Sequence, residues 1–158
     1  MHKILLFLLI FTCAPNIAIA SQEKPSERTY DKALAERLGA DQYGMKSYVL
    51  VILTTGEMDD KITDEKQRQK LFAGHFANMN RLAEAGHLVL AGPFMDAKPK
   101  RGLLILNTSD LEVAKQMVST DPAVQAGIFD YELSKYYGSA ALMEINNLHK
   151  RIQKTHIE

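Results

Sequence analysis

Cysteine is almost absent: the one residue of this kind, Cys13, lies near the start of the chain. Charge of one sign is lacking too, since 19 basic residues balance 19 acidic ones. No basic patch stands out, so nucleic acid is not an expected partner. There is no Walker loop, no dinucleotide glycine fingerprint and no GxSxG elbow, which removes the common phosphate-cradling and serine-nucleophile classes. His87, His149 and His156 show no tight ligand spacing with one another or with His75, so no metal site and no cofactor is expected. Internal repeats and low-complexity tracts are also missing. A membrane-spanning helix needs ~20 apolar residues, and the run near the start is much shorter.

That run is informative in another way. His2 and Lys3 form a positive start, Ile4 to Phe11 is apolar, and Ala18-Ile19-Ala20 is a small-x-small cleavage pattern before Ser21. The expectation is a cleaved secretory signal over 1–20 and a periplasmic or secreted product, with no membrane association after cleavage. Pro15 and Asn16 interrupt the run, which argues against a retained anchor. Phe11-Thr12 before Cys13 argues against lipidation there. Cleavage would remove Cys13 and with it any disulfide, thiol nucleophile or thiolate ligand. It would also remove Lys3, leaving 18 basic and 19 acidic residues among 138. A chain of that length can form one domain with a real core.

Residues 21–44 read as a polar leader (SQEKPSER) and a short helix over Tyr30 to Ala40, capped by Asp31 and stopped by Gly39. The core, 45–137, alternates strand and helix signals. Ser47 to Thr54 is rich in β-branched and aromatic residues. A polar loop to Thr63 follows, and Asp64 caps a helix that reaches about Ala85. His87 to Gly92 and Arg101 to Asn107 are strands. Ser109-Asp110-Leu111-Glu112 is a capping box for a second helix ending near Ser119. Gly127 to Leu133 alternates apolar and polar residues as the fourth strand. Lys135, Tyr136 and Tyr137 are expected to follow it.

This βαββαβ order predicts an α+β, ferredoxin-like domain with an antiparallel four-stranded sheet. Two helices on one face would leave the other face bare, and pairing two such faces would cover it, so a homodimer is expected. In the tail, 138–158, Leu142, Ile145, Leu148 and Ile152 make a helical stripe that could cover part of the sheet or embrace a partner.

The chemistry-bearing candidates are few. Leu71, Phe72, His75, Met79 and Leu82 share one helical face, which puts His75 on the apolar, sheet-facing side. An imidazole there is either a core histidine satisfied by a backbone carbonyl or a general base. Asp121 precedes Pro122 and reads first as an N-cap; its functional reading is a buried acid that orients a nearby imidazole. A carboxylate has two oxygens and can do both. Phe72, Gly92, Pro93 and Tyr136 are candidates to line a pocket. The Gly92-Pro93 pair also suits a plain turn, and Tyr136 and Tyr137 suit an interface. Asp130 and Glu132 share one face of a strand, the solvated one by default. Asn107-Thr108-Ser109 fits a glycosylation pattern that is short and common.

Three passages resemble the YCII-related (YciI-like) family. They are His75 in a helix leading to Leu82-Ala83-Glu84-Ala85-Gly86, then Leu88-Val89-Leu90-Ala91-Gly92-Pro93-Phe94 running into Gly102-Leu103-Leu104-Ile105-Leu106, and Asp121-Pro122-Ala123-Val124-Gln125-Ala126-Gly127. The resemblance covers about Met45 to Tyr137. It implies a ferredoxin-like fold that pairs into a dimeric α+β barrel, flanked here by extra N- and C-terminal helices. It implies a His–Asp pair in a cleft, by position His75 and Asp121. The family is similar to a dehydrochlorinase acting on a chlorinated hydroxyhydroquinone and, more distantly, to muconolactone-isomerase-like barrels. The functional expectation is a cofactor-independent acid–base enzyme, lyase or isomerase in type, on a small cyclic or aromatic substrate. The alternative is a non-catalytic dimeric module that binds a small ligand or serves structure.

Overall fold

The computed structural model describes residues 29–96 and 98–155. The expected signal, the 21–28 leader and His156 lie outside them. The chain falls into two units, residues 1–30 and Asp31–Glu158, and among the described residues every helix and strand belongs to the second.

The elements follow in the order α1 (Lys32–Leu38), β1 (Met45–Thr55), α2 (Glu65–Glu84), β2 (Leu88–Pro93), β3 (Lys100–Leu106), α3 (Leu111–Val118), α4 (Pro122–Gln125), β4 (Phe129–Ser139), a 3-10 helix (Ala140–Glu144) and α5 (Ile145–Ile152). The four strands form one antiparallel sheet in the order β2-β3-β1-β4. That is an α+β architecture consistent with the ferredoxin-like arrangement.

Strand alternation sorts the apolar residues into two layers. Val49, Val51 and Leu53 of β1 join Leu104 and Leu106 of β3 under Leu82 of α2 and Ala114 and Val118 of α3. Burying each such Leu or Val contributes roughly 1.5–3 kcal/mol, so this layer holds the helices to the sheet. The opposite face carries Tyr48, Val89 and Ile105, covered in part by Leu142 and Met143 of the 3-10 helix.

Three local readings are corrected. Asp110, not Ser109, caps α3: its side chain accepts from the amides of Glu112 and Val113. β4 does not stop at Leu133 but runs to Ser139, so Lys135, Tyr136 and Tyr137 lie inside the strand and pair with Val49, Tyr48 and Ser47. The strand is long because β1 is long and offers partners along its whole length. The tail stripe is broken by the 3-10 turn, which shifts the helical phase. Leu142 therefore reaches the sheet, while Leu148 and Ile152 are exposed.

Candidate functional site

The site begins with a tight approach between α2 and α4. Gly74 faces Pro122, and a Cβ at position 74 would lie 2.9 Å from Pro122 Cγ. A glycine inside a helix weakens it, so a packing reason is expected for one there. Here the missing methyl group lets the α4 turn settle against the residue next to His75.

His75 and Asp121 meet at this approach. Both are buried, and His75 Nδ1 lies 2.5 Å from Asp121 Oδ2. Asp121 has an extended backbone before Pro122, and its Oδ1 accepts from the amide of Ala123 at 2.9 Å. The cap and the imidazole partner thus use different oxygens of one carboxylate. A second tie fixes the same turn to α2. The buried Asn78 lies one helical turn beyond His75, and its Oδ1 is 2.9 Å from Thr120 Oγ1. Arg81 Nη2 donates to both Asn78 and Thr120.

A carboxylate only accepts, so Nδ1 of His75 carries the hydrogen in this pair. Among the described residues Nε2 has no hydrogen-bond partner, yet no buried side-chain nitrogen or oxygen there is left unsatisfied. Nε2 therefore keeps contact with solvent, although His75 as a whole is only 7 % exposed. Phe129 packs against the imidazole, ring centroids 5.2 Å apart in an edge arrangement, and Phe72 meets Phe129 from another side at 5.7 Å. The imidazole is thus flanked by a largely apolar, aromatic wall.

Beyond Phe129 lies a polar cluster that pattern reading missed. Asp59, in the loop after β1, is buried and takes three cations: Arg68 at 2.9 Å, Lys98 at 2.7 Å and Arg101 at 2.8 Å. Burial opposes its charged form. The hydrogen bonds from Lys98 and Arg68 and the charge of Arg101 outweigh that and hold its carboxyl well below the usual carboxylate range. The loop is fixed by the α4–β4 turn, because Gly56 and Met58 donate their amides to Ile128 and Gly127. A Cβ on Gly56 would sit 2.2 Å from the Gly127 carbonyl oxygen, so only glycine permits this crossing. The signals available were three acids in one loop and two lone arginines; nothing in the spacing said that they meet.

The remaining sequence candidates scatter. Phe72 belongs to the aromatic wall. Pro93 pairs with Gly102 at the end of β2, and Gly92 with Leu103. Tyr136 stands opposite Tyr48, ring centroids 6.3 Å apart, on the sheet face away from α2. It is therefore separated by the sheet from His75. Asp130 and Glu132 are exposed. An open groove of about 250 Å³ between Arg81, His87, Gln116 and Thr120 includes neither His75 nor Asp121 and has no comparable paired groups. Among the described residues, no three His, Cys, Asp or Glu side chains are grouped to hold a metal ion, and no helix is long and apolar enough to cross a membrane.

The model of the YCII-related domain matches residues 49–136, more than half of the chain. The chain belongs to the YCII-related domain family. His75, Asp121, Phe129 and the whole Asp59 cluster fall inside the YCII-related domain, whereas α1, the 3-10 helix and α5 fall outside it. No curated protein matches by sequence. Among solved structures, the chain is similar to 5-chloro-2-hydroxyhydroquinone dehydrochlorinase from Burkholderia phenoliruptrix AC1100, in complex with 2,5-dihydroxybenzoquinone. That likeness has 18% identity and a TM-score of 0.42, and covers 56% of this chain and 92% of that one.

Proposed function

We propose that this YCII-related protein is an acid–base enzyme in which His75 Nε2 moves a proton on a small cyclic or aromatic substrate. One observation carries the reading: the imidazole, packed against Phe129, is held by a buried carboxylate at Nδ1, while Nε2 has no partner among the described residues. A core histidine kept for packing has no need of a nitrogen left open to solvent.

The chemistry follows from the pair. Asp121 accepts the Nδ1 hydrogen, so the lone pair lies on Nε2 and faces an incoming ring. Nε2 takes a proton from carbon or oxygen of that ring. The imidazolium so formed is stabilised by the adjacent Asp121 carboxylate, and the same proton can be returned to another ring atom or to a departing group. Help of this kind is typically worth ~10²–10⁴-fold in rate. The apolar wall of Phe72 and Phe129 suits a flat, largely apolar ring.

Two companion proposals belong to the same reading. The protein is exported, with cleavage after Ala20, which mass determination of the N-terminus of the secreted form checks. It also forms a homodimer through the sheet face that Leu142 and Met143 leave partly uncovered, where Ile52 and the exposed Tyr136 lie. Sedimentation equilibrium giving a single-chain mass would exclude the dimer.

Deuterium exchange into a panel of small phenols, hydroxyquinols and lactones tests the enzyme reading. The wild type should exchange ring or α-carbon hydrogens, and His75→Gln should not. No His75-dependent exchange across the panel would count against catalysis. A small molecule retained on the protein without exchange would support the binding-module alternative.

A further inference from the structure

The Asp59 cluster carries more positive charge than its own carboxylate can balance. Arg68, Lys98 and Arg101 surround one acid. The three cations are not equivalent. Arg68 is committed inward, since Nη1 donates to the carbonyls of Asp59 and Ile62 and Nη2 to the Asp59 carboxylate. Lys98 is largely exposed. Arg101 gives Asp59 a single hydrogen bond, from Nη1 at 2.8 Å. Among the described residues its Nε and Nη2 have no acceptor, and its side chain keeps 24% of its exposure.

The backbone aims Arg101 at the site. Leu53 of β1 pairs with Gly102 and Thr54 with Lys100, so Arg101 is the extra residue of a β-bulge. Leu104 and Leu106 point to the helix-bearing face, and strict alternation from them would send Arg101 to the opposite face. The bulge turns it back, and its guanidinium lies over the Phe129 ring, 5.2 Å from the centroid. Bulges that re-aim one side chain are common beside active sites. The His75 ring lies 5.2 Å from the same Phe129 centroid. One aromatic ring therefore touches both the imidazole and an arginine whose Nε and Nη2 have no acceptor among the described residues.

Building on the His75 reading, we propose that Arg101 determines substrate class. The substrate is a small ring compound bearing an anionic oxygen group, a carboxylate or a phenolate. Arg101 Nε and Nη2 hold that group while the ring lies along Phe129 and presents a hydrogen to His75 Nε2. Asp59 positions the guanidinium and offsets part of its charge, leaving a net attraction for anions. Planar bidentate recognition of such a group is the particular strength of arginine.

The test is binding, so that it is separable from catalysis. A ¹⁵N-labelled protein is titrated with benzoate and, separately, with benzamide, which has the same ring and no charge. Benzoate should bind at least ~10-fold more tightly, as a charge-assisted hydrogen bond warrants, and should shift the Arg101 Nε–H resonance. Arg101→Gln should bring benzoate down to the level of benzamide. Arg101→Lys keeps the charge beside Asp59 and the fold, and should still lose most of the preference. His75→Gln should keep it. Equal binding of the two probes by the wild type, or a benzoate preference that survives in folded Arg101→Gln or Arg101→Lys, would overturn the proposal. If the preference tracks Arg101 but no exchange is ever seen, anion recognition stands and the enzyme reading alone fails.

Discussion

Gly74 and Pro122 touch where a methyl group would not fit, and this contact allows the neighbouring His75 and Asp121 to pair. The relationship has an uncommon consequence for substitution. Alanine is the better helix former by about 1 kcal/mol, so Gly74→Ala should stabilise α2 on propensity alone. Overpacking against Pro122 costs typically 1–3 kcal/mol, and it must push the α4 turn outward. The variant should melt a few degrees below the wild type, not above it. It should also lose most of any His75-dependent exchange. A rise in melting temperature with exchange intact would show that α4 yields freely.

Asp121 does two things, and two substitutions separate them. Asp121→Asn keeps an oxygen to cap α4 but removes the negative charge beside Nδ1. Asp121→Ala removes both, and loss of the cap costs ~1 kcal/mol more. Exchange should fall by ~10²-fold or more in both variants, while only the alanine variant melts clearly lower. Equal melting temperatures with unequal rates would contradict this division, and thermal melts beside rate measurements decide it.

The Asp59 cluster is a stability element as well as a charge. Asp59→Asn leaves three cations around a neutral amide. The expected cost is about 2–3 kcal/mol, less than for a fully buried pair because the cations stay partly solvated. The sign with pH follows from the depressed folded-state carboxyl. Its contribution is complete above the unfolded value of ~3.9 and is lost as the pH falls through the lower, folded one. The gap in melting temperature between wild type and Asp59→Asn should be constant from neutrality to about pH 5 and should narrow below about pH 4. A gap that widens on acidification would assign the stabilisation to another group.

Much of this fold can be read from the amino-acid order. The β-branched and aromatic run over Ser47–Thr54, and a helix read from the Asp64 cap to about Ala85, place β1 and α2 within a residue or two. The three- and four-residue spacing through Leu71, His75 and Leu82 puts the histidine on the buried side. What escaped depends on pairing between distant segments. The bulge that re-aims Arg101 exists only because β1 and β3 pair with one extra residue, and neither strand shows it alone. The length of β4 is set by β1, so Tyr136 lies within the strand and not after it, and its parity sends it to Tyr48. Asp59 sits in a loop with no period, and its three cations come from α2, β3 and the segment before β3. Gly74 carried a legible signal, an isolated glycine inside a helical run, whose partner only the fold reveals.

The proposed chemistry requires that Nδ1 of His75, not Nε2, carry the hydrogen. Long-range ¹H–¹⁵N correlation of the histidine rings in alkaline buffer, with His75→Gln for assignment, reads this directly. The wild type should show the Nδ1–H tautomer with a bare Nε2, and Asp121→Asn should shift the population away from it. A His75 with its hydrogen on Nε2, or a tautomer unchanged by Asp121→Asn, would contradict the pairing on which the proposed chemistry rests.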